Sequence, residues 1–190
     1  MSTTMSRLAA RWPAALGIAG GLGAIVVIVL LDREEEFFGP AVAVMAGIYL
    51  MAYAIGRPRT AWLALAVLSL VVSVLIGLDA AGVLPVDPAV GMTIAAVLLW
   101  LWAVVRGRVA EGRAFLVQTA GLVAFGGATL LIAALAPRWA LTLAGLAFLA
   151  HAVWDAYHFR INKVVDRPYA EFCGVLDVLV GPALIIAAFV

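Results

Sequence analysis

Apolar residues fill this chain in long runs separated by short polar or Gly/Pro-containing breaks. A helix needs roughly 20 apolar residues to cross about 30 Å of hydrocarbon, and the runs are 17 to 22 residues long. The pattern predicts seven spanning helices, at about 12–31, 37–55, 61–78, 89–105, 114–135, 139–157 and 170–190. The first ends at Asp32-Arg33-Glu34-Glu35-Glu36 and the second at Gly56-Arg57-Pro58-Arg59. The third stops at Asp79 and the Gly82–Pro88 turn, the fourth at Arg106-Gly107-Arg108, and the fifth before Pro137-Arg138. Helices three and four are a little short, so a merger or a tilt there is the alternative to a count of seven. Arg7 and Arg11 before the first run would suit a signal peptide, but the run is too long for a signal core. No small-x-small cleavage site follows it, so it reads as a retained span. The predicted fold is all-α: a polytopic transmembrane bundle over one domain, 1–190, with no soluble domain.

Basic residues orient this bundle. The N-terminus carries Arg7 and Arg11, and the 2–3 loop Arg57 and Arg59. Arg106, Arg108 and Arg113 follow in the 4–5 loop, and Arg160, Lys163 and Arg167 in the 6–7 loop. The opposite side has only Arg33 and Arg138. Loops rich in Arg and Lys stay cytoplasmic, which places the N-terminus inside and the C-terminus outside.

Composition agrees. The apolar fraction is 66%, and 190 residues include only 12 basic and 11 acidic ones, whereas soluble domains run near 45–50% apolar and about 25% charged. A soluble enzyme, a disordered chain and a disulfide scaffold are excluded. A net charge of +1, with no basic cluster interleaved with aromatics, gives no reason to expect nucleic acid. Membrane lipids are the expected partners, and a homo-oligomer stays open. One lysine against eleven arginines, with abundant alanine, is the bias of a GC-rich bacterial genome. The expected location is therefore a bacterial plasma (inner) membrane. Gly17 and Gly21 form a G-x-x-x-G pair, read as helix packing.

Ionisable groups within a bilayer are expensive and by default mark function. Nearly all the charges fall in loops or at helix ends, but Asp155 and Asp177 do not. Both histidines of the chain (His151 and His158), its only cysteine (Cys173) and both of these acids fall within 27 consecutive residues. On a helix, His151, Asp155 and His158 at i, i+4 and i+7 share one face, as do Cys173 and Asp177 on the next. The antiparallel hairpin sets His151 level with Asp177 and Asp155 level with Cys173. At 1.5 Å per residue the cluster is expected about 5–10 Å below the cytoplasmic interface. Glu171 lies roughly 200° around the helix from Cys173; it joins the site only if that helix starts irregularly, and otherwise complements the helix dipole. Tyr53 and Gln118, in the same half of the membrane, and Trp154, beside Asp155, are candidates to back the cluster. Tyr49 and Thr119 are further polar groups that would extend a cavity.

Three chemistries fit these residues. His151, Asp155, His158 and Asp177, with Cys173 as a further ligand, suit a divalent metal such as Zn or Fe. Without a metal, His151, Asp155 and Asp177 suit general acid/base work or a proton relay. In a purely structural reading His151 hydrogen-bonds Asp177 across the hairpin, and His158 is solvated at the interface.

The stretch His151-x-x-Trp154-Asp155-x-x-His158, followed by Cys173-x-x-x-Asp177, resembles the C-terminal signature of a family of small bacterial integral-membrane proteins of unknown function. The resemblance covers about 40 residues and implies where the site lies, not its chemistry. Phe159 stands where that pattern commonly has a second adjacent histidine, which argues against a histidine-rich metal site. A retinal protein would need a lysine in its last helix, and the paired H-x-x-x-H of alkaline ceramidases is missing. Two functions of different class follow. One is a membrane-embedded enzyme acting on a lipid or isoprenoid-type substrate, which predicts a lateral, lipid-accessible cavity. The other is a small ion- or proton-coupled transporter with Asp177 and His151 as the coupling pair, which predicts a polar path to the far face. A structural membrane subunit is the third.

Overall fold

The computed structural model describes residues 11–30, 34–83 and 86–190. Arg7, Asp32 and Arg33, and the Leu84-Pro85 step of the turn after the third span, lie outside the described residues. Seven helices are long and apolar enough to cross a membrane. They are α1 (Trp12–Leu30), α2 (Glu34–Ile55), α3 (Thr60–Ala80), α4 (Pro88–Val105), α5 (Arg113–Ala134), α6 (Pro137–Ile161) and α7 (Arg167–Ala187). No strand occurs among the described residues.

Local chemistry sets several of these ends. Asp87 caps α4 by accepting from the backbone N–H of Ala89 and Val90, with Pro88 in the first turn, where its missing N–H costs nothing. Asp166 caps α7 in the same way, through Tyr169 N–H. Helix α6 runs four residues beyond the expected end at 157 and closes on Asn162 in the left-handed region, φ 49° and ψ 47°. Asn tolerates that conformation better than most residues, and its Oδ1 accepts from Arg167 N–H at 3.1 Å, tying the end of α6 to the start of α7. His158 and Arg160 in the last turn of α6 suit the negative end of the helix dipole. Within α5, Leu122–Gly126 adopts a π-helical turn.

Helix α2 is the centre of the bundle. In its membrane-length window 83% of the residues are buried, against 22% to 44% in the other six helices. It packs on α3, α4, α5 and α6, while α7 lies between α6 and α1. Glycines allow the closest of these approaches. A Cβ on Gly17 would stand 2.5 Å from Phe172 O, and one on Gly21 2.8 Å from Leu179 Cδ1, so the G-x-x-x-G pair of α1 seats it on α7. Between α6 and α7, a Cβ on Gly145 would stand 2.5 Å from Gly181 O. Two apolar clusters fill the bundle, one around Tyr53, Tyr169 and Leu68 and the other around Phe38, Phe125 and Phe148. Trp154 and Leu176 border both, and the polar groups gather at that level.

Candidate functional site

Helix α6 turns His151, Asp155 and His158 inward on one stripe, and α7 faces it with Asp177. All four are at most 2% exposed. His151 Nδ1 lies 2.7 Å from Asp177 Oδ2 and 3.2 Å from Asp155 Oδ2. The hairpin therefore brings His151 and Asp177 to one level, as the mirror of depth across the loop requires. One ligand atom from each of His151, Asp155 and Asp177 lies within 4.8 Å of the others, so the three could hold a metal ion. From α2, the Tyr49 hydroxyl donates to Asp155 Oδ1.

Two atoms of this cluster are left over. His151 Nε2 and Asp155 Oδ2 are buried with no hydrogen-bond partner among the described residues. The 3.2 Å approach of Oδ2 to Nδ1 does not satisfy it, because Nδ1 is already committed to Asp177. Buried polar atoms are almost always paired, so an orphan in the middle of a charged cluster points to a bound species. Charge points the same way. Two ionised carboxylates beside one protonated imidazole would carry a net negative charge in a buried place, which is costly inside a bilayer. Neutrality needs one further proton, or a divalent cation beside a neutral imidazole.

Aromatic rings close the cluster off. The Phe125 ring centroid is 5.1 Å from that of His151, and Tyr49 is 5.5 Å from it. Trp154 sits 6.0 Å from Phe125 and 6.1 Å from Tyr49. Its indole occupies the place where a Cβ on Gly121 would be, 2.9 Å from Trp154 Cζ2.

His158 is neither a free ligand nor a solvated interfacial residue. Its Nδ1 lies 2.9 Å from Trp154 O and its Nε2 3.1 Å from Gln118 Nε2. A carbonyl oxygen only accepts, so Nδ1 carries the hydrogen, and Nε2 accepts from the Gln118 amide. Both nitrogens are used, which leaves the neutral ring no lone pair for a metal. Gln118 thus backs the cluster through His158, and its own Oε1 is unpartnered. A cavity of about 370 Å³ opens over this pair, lined by Glu111, Arg113, Tyr157 and Lys163 among others.

Three other expectations change. Cys173 is buried but belongs to the apolar cluster with Tyr169 and Phe172, outside the group of three. Gly174 packs on Asp155, with its Cβ position 3.3 Å from Asp155 Cβ. Glu171 turns away and pairs with Arg11 Nη1 at 3.2 Å, because α7 starts as a regular helix at Arg167. Tyr53 donates to Arg108 O at 3.0 Å, so it anchors the 4–5 loop instead of the cluster. His151 and Asp155 stand ten and six residues before the end of α6, roughly 15 and 9 Å along its axis.

Tyr49 and Phe125 are the neighbours that sequence reasoning did not place at the cluster. The sign of Tyr49 was a phenol in mid-span, which needs a partner once buried; which partner only packing could say. Tyr49→Phe is expected to lower stability by about 1–3 kcal/mol, because Asp155 Oδ1 loses its donor. Tyr53→Phe, where the lost bond is a part-buried one to a carbonyl, should cost about 0.5–1.5 kcal/mol. Thermal unfolding of the two variants side by side measures the difference, and equal losses would mean that the phenol does not support the carboxylate.

A second cavity, about 590 Å³, lies on the outer flank of the hairpin, between α6 and α7. Comparison of the chain with protein-family models, with curated proteins and with solved structures found no match.

Proposed function

We propose that this protein is a membrane-embedded enzyme acting on a lipid or isoprenoid-type substrate, with a divalent metal of the Zn or Fe class held by His151, Asp155 and Asp177. One observation carries the reading: two carboxylates and an imidazole converge in the buried interior, and a carboxylate oxygen among them lacks a partner among the described residues. An imidazole with two carboxylates is a donor set that such ions accept. A divalent ion there would offset both carboxylate charges and supply a Lewis acid.

The chain's own groups have distinct tasks. Tyr49 holds Asp155 by one oxygen and so aims the other, Oδ2, into the cluster. Asp177 fixes the imidazole through Nδ1, which would leave the Nε2 lone pair free for the ion. Gln118 and His158 line the cavity that also holds Glu111, Arg113 and Lys163, which would be the side from which water approaches. The lateral groove on the hairpin is the lipid-accessible cavity that an enzyme on lipid substrates requires.

The transporter reading has less support. A cavity of about 610 Å³ lined by Glu36, Asp79 and Asp87 lies at the far end of the bundle, but Phe38, Val42, Phe125 and Phe148, on that side of the cluster, are apolar. A structural subunit would have no use for an unpaired buried carboxylate oxygen, since an unsatisfied group only destabilises. The asymmetry of basic residues supports a cytoplasmic N-terminus, which would set the cluster toward the cytoplasmic side, and the arginine- and alanine-rich composition supports the inner membrane of a bacterium.

Metal analysis of the purified protein tests the proposal. About one ion per chain is expected in the wild type, and His151→Ala should lose it while Tyr53→Phe retains it. A wild type free of metal after purification without chelators, and unable to take up Zn or Fe, would remove the metal centre.

A further inference from the structure

The lateral groove and the cluster are separated by a single residue without a side chain. Ala152, Ala156 and Phe159 of α6 and Gly174, Val175 and Val178 of α7 line the groove, with Arg160 and Glu171 at the end nearest the 6–7 loop. Gly174 is the thin point. A Cβ built on it would sit 3.3 Å from Asp155 Cβ and 3.8 Å from Asp155 Oδ2. That oxygen is the unpartnered one, on a residue 1% exposed. The orphan of the buried cluster therefore lies directly behind the floor of an apolar groove that opens to the hydrocarbon.

Charge at the mouth selects the occupant. Glu171 is already matched by Arg11 at 3.2 Å, and Arg167 lies over the Phe159 ring, its guanidinium carbon 5.8 Å from the centroid. Among the described residues Arg160 has no carboxylate partner. The end of the groove nearest the loop is thus net positive, while its floor is apolar. A volume of about 590 Å³ falls within the roughly 300–1,000 Å³ of small-ligand sites.

We propose that this groove seats one hydrocarbon chain of an anionic amphiphile, with its head at Arg160 and its upper chain pressed against Gly174. The proposal rests on the enzyme reading above and names the substrate class for the same centre. Asp155 precedes Arg160 by five residues, roughly 7 Å along the helix. The bond that faces the carboxylate is therefore not in the charged head itself but about 7 Å toward the tail, at the rise per residue of an α-helix. Arginine suits a phosphate or carboxylate head because its planar fork matches two oxygens at once.

The test uses the full chain in nanodiscs and two photoreactive lipids with the same diazirine-bearing acyl chain, a phosphatidic acid and a phosphatidylcholine. Adducts are mapped by mass spectrometry, and metal content is measured on the same samples. Labelling in the wild type should concentrate on Ala152, Ala156 and Val178 over the outward-facing Val153, several-fold more with the phosphatidic acid. Ala156→Phe, which fills the groove without touching the cluster, should reduce it at least fivefold and leave the metal in place. Arg160→Gln should keep the labelling and erase the head-group preference. Equal labelling of Val153 and the groove, or indifference to Ala156→Phe, would overturn the proposal, as would equal capture of the two lipids by the wild type. Groove labelling in a protein without metal would support the groove and sink the metal centre. Metal without groove labelling would sink the groove alone.

Discussion

Asp177→Ala should destabilise the protein by about 3–5 kcal/mol, the usual result of removing one partner from a buried ionic pair. The carboxylate holds His151 Nδ1 at 2.7 Å, and both side chains are almost completely buried. Removing it leaves Asp155 Oδ2, 3.2 Å away, as the acceptor nearest to the imidazole N–H, and opens a buried gap where the carboxylate stood. Asp177→Asn separates the two roles of this residue. Its amide oxygen still accepts from Nδ1–H, so most of the stability should return, to within about 1–2 kcal/mol of the wild type for one weakened bond. Metal should be absent from both variants, because the amide does not supply the charge that a divalent ion needs. Thermal unfolding in detergent beside metal analysis gives both readouts. An Asn variant that keeps its metal would take Asp177 out of the ligand set. An Ala variant as stable as the wild type would mean that the pair contributes nothing to the fold.

Gly145→Val should have a comparable effect from a position that carries no chemistry. A Cβ there meets Gly181 O at 2.5 Å and Ile185 Cγ1 at 2.6 Å. The first of these is backbone and cannot swing aside, so α6 and α7 must separate. Overpacking of this kind costs typically about 1–3 kcal/mol, sometimes more, and here the strain falls on the hairpin that sets the distance from His151 to Asp177. Loss of metal is therefore expected although every ligand is intact. Gly127→Val on α5 is the matched control, since nothing lies within 4 Å of its Cβ position. Unfolding temperatures and metal content of the two variants decide the matter. Equal behaviour would show that helix separation does not control the cluster.

The spans and the place of the cluster were legible in the sequence for one reason: hydrocarbon tolerates few charges. Asp155 and Asp177 stood out because almost every other acid had a loop to lie in. The i, i+4 and i+7 spacing of His151, Asp155 and His158 fixed their common face without any knowledge of neighbours. What failed needed the neighbours. His158 looked like a ligand until Trp154 O and the Gln118 amide took its two nitrogens. Tyr53 and Tyr49 are one turn apart on the same helix, and only the packing of α2 against α6 gives Asp155 to Tyr49. The end of α6 was placed too early because a helix need not end where hydrocarbon does. His158-Phe159-Arg160 reads as leaving the membrane, yet the backbone stays helical up to Asn162.

The distribution of partners around α6 has a consequence for how the chain is made. This helix has the lowest mean hydropathy of the seven, and a carboxylate at the centre of a lone span adds roughly 2.5–3.5 kcal/mol to insertion. Its buried polar side chains take partners from Tyr49 of α2, Gln118 of α5 and Asp177 of α7. Two of these three helices leave the ribosome before α6 and the third directly after it. Order of synthesis thus has a phenol and an amide waiting in the bilayer when the least membrane-compatible helix arrives, and the hairpin brings the last partner with it.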